Sequence, residues 1–286
     1  MMASGLGAEI LGALSGVATA GGTLPMEVSA RETLSAMGRH VFEAEIPLEP
    51  TGAVRLDTLR ERADLGAEVV GYGLLFPFLS DADQAARTDA LVALAGALKV
   101  SDRLPRAFAH FARGRLGPGM RAMRRAARRA VPGSHPLTSF LMGFRGRLGL
   151  DRSRRLADRY ARYAELPAGS VGRALADYYD ANRYARPGTP GGWYSRVVAS
   201  HDAHHVLSGY PTDPLGEICV MAFAHAASRR DLSAIFPFLL FQYDRGLAID
   251  TTEPAVEGRF SPDAFFRAAR RGAACRVDLL APAIDL

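Results

Sequence analysis

Hydrophobic residues along this chain recur mainly at the three- and four-residue spacing of amphipathic helices. Leu91, Leu94 and Leu98 share one helical face, and the acidic residues at 81 and 83 precede them as capping side chains, which predicts a helix over residues 83–99. The same criteria predict further helices at residues 53–70, 151–163, 170–183, 214–229 and 261–272. We therefore predict an all-α fold, a multi-helix bundle built from helical hairpins.

Two segments near the amino terminus lack this pattern. Residues 41–48 are the best candidate for a short strand or an extended arm. Residues 1–25 are small and apolar, with no Lys or Arg before Arg31, and we expect them to form a flexible amino-terminal tail or a weak helix. They lack the basic residues of a secretory signal or a mitochondrial presequence. Their apolar stretch at residues 10–20 is too short to span a bilayer.

Residues 26–286 are predicted to form a single all-α domain. A Pro- and Gly-containing breaker at residues 131–136 divides it into an amino-terminal helical part, 26–131, and a part at 132–286 that carries the candidate chemistry. Within the second part, residues 236–241 form a concentrated apolar patch. This patch either lines a lipid-binding groove or packs in the core, and we favour the core.

The candidate chemistry lies between residues 201 and 217. His201 and His205 are four residues apart, so they share one face of a predicted helix, and Asp202 follows the first of them. Gly at 209 and Pro at 211 should end this helix, and Asp at 213 with Pro at 214 should begin the next one. Glu217 then lies in the opening turn of the second helix, where a tight hairpin can fold it back towards the histidines.

We predict that His201, Asp202, His205 and Glu217 bind a divalent metal ion in this helix–turn–helix. Mixed nitrogen and oxygen ligands suit Zn, with Fe(II) or Mn(II) as alternatives. Because Asp202 is adjacent to His201, the four need not bind equally, and one could instead orient a ligand or act as a base. Two simpler interpretations stay open: a zinc ion that only pins the hairpin, and polar residues that satisfy one another beside a buried turn.

These residues also resemble the signature of a known family. The arrangement H-D-x-x-H, eleven residues and then Glu, with Leu-Ser-Gly-Tyr-Pro-Thr at 207–212, is similar to the signature of the Coq4 family of ubiquinone-biosynthesis proteins. Leu-Pro-Ala-Gly-Ser-Val-Gly at 166–172 and the tyrosines at 178 and 179 resemble a second family segment, and Arg196 stands where the family carries an arginine. The resemblance covers roughly residues 140–250. It departs from the family before about residue 130 and at the Pro/Gly-rich residues 186–193, so the chain is identified as a divergent member.

The resemblance implies a role in quinone biosynthesis, namely the oxidative or non-oxidative C1 decarboxylation of a prenylated hydroxybenzoate-type ring substrate. In this interpretation His201, Asp202, His205 and Glu217 hold the catalytic metal, and Arg196 helps to hold the substrate anion. The implied partners are a polyprenylated aromatic or other hydrophobic small molecule and other biosynthetic enzymes. We also expect a homodimer.

Three alternative functions stay open. The protein could be a non-catalytic scaffold or lipid carrier for quinone-biosynthesis enzymes, or a Coq4-like fold reused on another aromatic substrate in specialised metabolism. A metal-dependent phosphohydrolase of the His-Asp type ranks lower. Such an enzyme needs a further His and Asp around two metals, and His110 and His135 are available without any pattern that marks them.

Composition and charge bear on the compartment of the protein and on the surfaces that it contacts. Apolar residues make up 48% of the chain and charged residues 23%, as in ordinary globular proteins, and two cysteines do not form a disulfide framework. We therefore expect a cytoplasmic protein.

The net charge is +5, and residues 103–150 contain no acidic residue but carry arginines at 121, 124, 125, 128 and 129. This basic stripe either contacts the anionic inner face of a bacterial membrane or is a solvated face. Nucleic-acid binding is not expected, because no recognition motif accompanies the stripe.

Overall fold

The computed structural model of this protein describes residues 4–45, 56–122, 153–192, 196–248 and 254–277. These residues are mostly helical and contain no β-strand, which confirms the predicted all-α bundle. The α-helices are α1 (Ser4–Ala18), α2 (Val28–Met37), α3 (Asp57–Glu61), α4 (Ala63–Gly73), α5 (Gln84–Ala97), α6 (Arg103–Ala112), α7 (Arg154–Tyr163), α8 (Val171–Ala181), α9 (Arg196–Ser208), α10 (Pro214–Ala227), α11 (Phe236–Tyr243) and α12 (Pro262–Ala273).

Most of the predicted helices are present in the structure. Four of them follow a residue whose side chain caps the first turn. Ser153, Ser170, Asp213 and Ser261 each stand in extended conformation before a helix, and each accepts a hydrogen bond from a backbone N–H of its first turn. The predicted helix at 53–70 is wrong in one respect. It divides into α3 and α4 at Arg62, whose φ of −119° and ψ of 85° are not helical.

One large hydrophobic core joins helices α1 to α6 with helices α10 to α12. Aromatic rings pack edge to face at its centre, where the ring of Phe78 lies 5.4 Å from Phe108 and 5.2 Å from Phe241. The apolar patch at residues 236–241 belongs to this core: Phe236, Leu239, Leu240 and Phe241 are at most 1% exposed. The core interpretation of that patch is therefore confirmed.

Two expectations concern residues 1–25, a flexible tail or a weak helix; the described residues 4–25 contain a helix, and the flexible tail is wrong there. Ser4–Ala18 forms α1, and Leu11 and Leu14 of this helix are fully buried in the core. The helix packs its apolar side chains against α2, α4 and α5, and its less buried face carries mostly small and apolar residues rather than a polar stripe. Its small residues permit this close packing: a Cβ added at Gly7 would lie 2.8 Å from the Cβ of Ala44.

The strand or extended arm expected at residues 41–48 is also absent from the part that the structure describes, residues 41–45. The chain continues from α2 into a π-helical turn, Gly38–Phe42, and Glu43 then adopts the left-handed conformation with φ of 50°. Phe42 is buried and its ring lies 5.6 Å from that of Tyr72, in an edge-to-face arrangement. Burial of Phe42 in a helical turn therefore prevails over the local strand pattern.

The buried side chain of Arg87 on α5 fixes the end of α1. Arg87 is 2% exposed, and its Nε donates to the carbonyl of Ala18, the last residue of α1, at 2.9 Å. Its Nη2 donates to Glu27 Oε1 at 2.6 Å, and its Nη1 donates to the carbonyl of Ala82 at 2.6 Å. The guanidinium thus satisfies one of the free carbonyls that every helix end presents.

A second, smaller hydrophobic cluster lies among α7, α8 and α9. Its buried members are Tyr160, Leu175 and Tyr179, and partly buried residues of the three helices pack against them. The rings of Tyr160 and Tyr179 meet edge to face, with centroids 5.9 Å apart. Val206 of α9 packs against the cluster, so α8 lies beside the helix that carries both candidate histidines.

Several expectations concern residues outside the described ranges. The predicted boundary at residues 131–136 and the arginines at 124, 125, 128 and 129 lie there, whereas Arg121 lies in the described helical residues 116–122. Among the residues that are described, no helix has both the length and the apolar character needed to cross a membrane.

Candidate metal centre

Helices α9 and α10 form the hairpin that the turn sequence predicts. α9 ends at Ser208, and Gly209 follows with φ of +74°, the left-handed conformation that glycine adopts without strain. Asp213 then caps α10, and its Oδ1 accepts hydrogen bonds from the N–H groups of Leu215 at 3.0 Å and Gly216 at 2.9 Å. Both ends of the turn are thus fixed by local chemistry.

The hairpin is tight enough to bring Glu217 against α9. A Cβ added at Gly216 would lie 2.0 Å from the carbonyl oxygen of Pro211, so only glycine fits at this position. Because the first turn of α10 packs so closely on the loop, Glu217 faces His201 and His205. Sequence reasoning placed all three residues correctly.

Three ligand atoms converge between the two helices. His201 Nε2 lies 3.0 Å from Glu217 Oε2, and His205 Nε2 lies 3.2 Å from Glu217 Oε1. The two Nε2 atoms are 3.1 Å apart, and the imidazole rings meet at an interplanar angle of 85°. His201, His205 and Glu217 are the one group of three or more His, Cys, Asp or Glu residues in the described ranges whose ligand atoms converge in this way.

The spacing of these atoms fits a small divalent ion. Zinc bonds of ~2.0–2.1 Å in tetrahedral geometry place ligand atoms about 3.3 Å apart, close to the observed separations. Both imidazoles meet through Nε2, the nitrogen that neutral histidine commonly offers to a metal. Two histidines and one carboxylate suit Zn, Fe(II) or Mn(II).

The orientation of His205 is fixed by the turn. Its Nδ1 lies 2.9 Å from the backbone carbonyl oxygen of Tyr210, which can only accept a hydrogen bond. In the neutral ring the Nδ1–H therefore donates to this carbonyl, and Nε2 keeps the lone pair that a metal ligand requires. Histidine ligands are oriented in this way in many metal sites. Tyr210 thus contributes through its backbone, as a turn residue, rather than through its hydroxyl.

Burial within the centre is uneven. The side chain of His205 is 1% exposed and that of Glu217 is 15% exposed, whereas that of His201 is 32% exposed. Two ligands are therefore enclosed by protein, and solvent reaches the centre on the side of His201. A ligand set with one open side is typical of a site that also binds a substrate or water.

The electrostatics of the centre couple the carboxylate to the imidazoles. Burial alone raises the pKa of Glu217, but hydrogen bonds with His201 and His205 outweigh burial and lower this pKa to about 2. Burial acts in the opposite direction on His205 and lowers its pKa, yet hydrogen bonds to Glu217 and to the carbonyl of Tyr210 raise the pKa above the usual value. Glu217 is therefore an ionised carboxylate that attracts positive charge.

Asp202 does not join the three converging ligand atoms. Its Oδ2 instead accepts a hydrogen bond of 2.5 Å from the hydroxyl of Tyr179 on α8. Burial is the main cause of the raised pKa of Asp202. Burial also raises the pKa of Tyr179, and the negative charge of Asp202 adds to that effect. Of the four predicted ligands, three therefore converge in the structure, and Asp202 lies beside them without joining their ligand atoms. The physical reason is a contact with another helix, because the hydroxyl of Tyr179 on α8 holds the carboxylate of Asp202.

Three neighbours of the centre received no role from the sequence. The ring of Tyr178 stacks on that of His205, with centroids 5.7 Å apart and planes 19° apart. Arg271 of α12 donates to the carbonyl of Ser208 at 2.9 Å. Tyr178 and Tyr179 fall in the segment that resembles the Coq4 family, which is the one signal that marks them. Arg271 lies far along the chain, and no local pattern points to it.

The described residues place none of the remaining candidates in this cluster. Arg196 is the first residue of α9, and its side chain lies outside the described residues. His135 also lies outside them, and His110 is half-buried on α6 without joining a ligand group. Cys219 packs in the core at 3% exposure, and burial raises the pKa of its thiol to about 11.

The geometry defines the class of site: a candidate divalent metal centre of two histidines and one glutamate, built on a hairpin in an all-α protein. No family model, curated protein or solved structure matches this chain. The similarity to the Coq4 family thus stays a prediction that rests on the residues quoted above.

Proposed function

We propose that this protein binds one divalent metal ion through His201, His205 and Glu217 and acts on a prenylated hydroxybenzoate-type ring substrate, from which it removes the C1 carboxylate. The observation that supports the metal is the convergence of three nitrogen and oxygen atoms at 3.0–3.2 Å. The substrate class and reaction rest on the resemblance of residues 166–172 and 201–217 to the Coq4 family.

The charge of the proposed site favours an anionic substrate. Two neutral imidazoles and one carboxylate leave a bound divalent ion with net positive charge, which attracts a carboxylate or phenolate oxygen. When bound, such an ion acts as a Lewis acid and stabilises negative charge that develops on the substrate. From the resemblance to the Coq4 family, we assign to Arg196, the first residue of α9, the task of holding the substrate anion.

The chain itself provides position and protection. His205 and Glu217 are held by α9 and α10 in an enclosed arrangement, and the side of His201 gives the substrate access.

In the non-oxidative reaction the bond between ring C1 and the carboxyl carbon breaks, CO2 leaves, and the electron pair on C1 takes a proton from solvent. The oxidative reaction adds a hydroxyl group at C1 and requires O2 or another oxidant.

The structure weakens one alternative, a lipid carrier. Such a protein depends on an apolar groove for an entire isoprenoid tail, and the patch at residues 236–241 is buried in the core, so neither a carried lipid nor the prenyl chain of a substrate is lined by it. A Coq4-like fold that acts on another aromatic substrate is served by the same metal centre. A scaffold with a structural zinc is separated from both enzymes by measuring turnover.

The first experiment is elemental mass spectrometry on the full-length protein, beside His205→Ala and Glu217→Gln. We expect about one Zn, Fe or Mn per chain in the wild type and loss of the metal in both variants, because each removes one of three ligands. His110→Ala is the matched control, since it removes a histidine that has no part in the cluster. Absence of metal in the wild type, even after reconstitution with each ion, contradicts the proposal.

Turnover is then measured as CO2 release from a 4-hydroxybenzoate that carries a short prenyl chain. Metal-loaded wild type should release CO2, and the ion-depleted protein and Glu217→Gln should not. Iron in the site would favour the oxidative reaction, because zinc cannot change its redox state. A protein that binds its metal but has no turnover on any hydroxybenzoate would contradict the proposed reaction and would leave a structural zinc and an enzyme of another aromatic substrate as the alternatives.

A further inference from the structure

The hydrogen bond between Tyr179 and Asp202 is the feature of the centre that the proposed function does not use. Tyr179 is 4% exposed, and its ring is held by edge-to-face contacts with Tyr160 and Tyr178, both with centroids 5.9 Å away. Its hydroxyl therefore occupies a fixed position in the second cluster. That hydroxyl donates to Asp202 Oδ2, so the carboxylate is held on the side of α8.

Without this hydrogen bond, Asp202 could reach the metal. It precedes His205 by three residues, and side chains at this spacing are neighbours on a helix. A carboxylate beside an ion with open positions is a strong competitor for one of them, because oxygen ligands suit all the metals that fit this site. Some contact must therefore hold Asp202 back if the ion is to have only three protein ligands.

We propose that Tyr179 keeps Asp202 out of the coordination sphere, so that the chain supplies three ligands and an open position remains for the substrate; this inference rests on the proposed metal site. Tyr179 is then a positioning residue that acts through Asp202. Its role also preserves the positive charge of the centre, since a second carboxylate ligand would neutralise the divalent ion. A neutral centre would attract an anionic substrate less strongly.

The test uses the full-length protein loaded with Co²⁺, whose visible absorption weakens and shifts as its coordination number rises. We expect the variant Asp202→Asn to have the same spectrum as the wild type, because Asp202 is not a ligand in this proposal. Tyr179→Phe keeps the ring but removes the hydroxyl, and should weaken and shift the absorption as Asp202 turns to the ion. The double variant, Tyr179→Phe with Asp202→Asn, should regain the wild-type spectrum.

Tyr184→Phe is the matched control, because Tyr184 contacts the same aromatic cluster but is 46% exposed. A changed spectrum in Asp202→Asn alone would show that Asp202 is a ligand and would overturn the inference, and this variant leaves Tyr179 in place. An unchanged spectrum in Tyr179→Phe would overturn it as well. Failure of the wild type to bind Co²⁺ at one ion per chain, by contrast, would remove the proposed metal site itself.

Discussion

The guanidinium of Arg271 lies over the ring of Tyr210, with its central carbon 4.9 Å from the ring centroid. The same side chain donates to the carbonyl of Ser208, and the carbonyl of Tyr210 accepts from His205 Nδ1. Helix α12 therefore braces the turn that orients the candidate ligand His205. A contact of this kind is worth about 0.5–1 kcal/mol at an exposed site.

We predict that Arg271→Lys weakens Zn²⁺ binding about fivefold, as expected for ~1 kcal/mol. Lysine keeps the positive charge but loses the planar group that both stacks and donates. The measurement is a chelator competition for Zn²⁺. Arg270→Lys is the control on the same helix, because Arg270 donates to the carbonyl of Arg39, away from the turn. Equal affinities of the two variants would show that the brace has no effect on the metal.

The thermal stabilisation by Zn²⁺ should increase with pH. In the ion-free protein the raised pKa of His205 contributes stability below the usual value of 6.5, and this stability is lost as the pH rises through the folded pKa. The lowered pKa of Glu217 contributes stability above 4.5, which is lost as the pH falls towards about 2. Zinc binding instead requires neutral imidazoles and releases their protons, so zinc binding is favoured as the pH rises.

The pH prediction is tested by melting the protein at pH 5.5, 6.5 and 7.5 with and without excess Zn²⁺. The difference between the two Tm values should grow at each step in the wild type and stay near zero in His205→Ala. A difference that is constant or declines with pH would mean that Zn²⁺ binds at groups other than these imidazoles.

Leu14→Ala should destabilise the protein by about 2–5 kcal/mol, because Leu14 is fully buried in the core and its truncation leaves a cavity. Unfolding in urea gives the free energy of unfolding directly. Leu116→Ala is the matched control: Leu116 is 51% exposed, and its truncation should change stability by less than about 0.5 kcal/mol. Similar effects in the two variants would indicate that α1 does not pack in the core.

Arg87→Met should cost about 3 kcal/mol, because it removes the donor to the Ala18 carbonyl and leaves Glu27 without its ion pair. Methionine preserves most of the apolar stem of the arginine. Arg113→Met tests the exposed ion pair of Arg113 with Asp89, and this control should cost less than about 1 kcal/mol. If Arg87→Met unfolds at the same urea concentration as the control, the hydrogen bonds of Arg87 at the end of α1 contribute little to stability.

The sequence predicts those elements whose cause is local. The hairpin of α9 and α10 follows from Gly209, Asp213 and a proline, so local signals alone are enough to bring His201 and Glu217 together. Helix α1 could not be predicted in the same way, because small and apolar residues rather than polar ones occupy most of its less buried face, so it carries no clear amphipathic period. Its small residues are typical of a tail and also of close packing, and only the neighbouring helices decide between the two.

The partner of Asp202 depends on a contact between helices that are separate in sequence. Spacing alone places Asp202 near His201 and suggests a fourth ligand. The direction of its carboxylate is set by Tyr179, 23 residues earlier on α8. Arg271 is a similar case, since it reaches the turn from a helix that begins 45 residues after Glu217, at Pro262. Such contacts belong to tertiary packing, which local patterns do not encode.

The centre lies where the two hydrophobic clusters meet. His201 and His205 belong to α9, whose Val206 packs on the smaller cluster, whereas Glu217 belongs to α10, whose Ile218 and Cys219 are part of the large core. An ion bound by all three would join these two clusters across the hairpin. Chelation should then accelerate amide hydrogen exchange in α7, α8 and α9 while leaving α10 and α12 protected, so that the metal would also govern how independently one part of the molecule unfolds from the other.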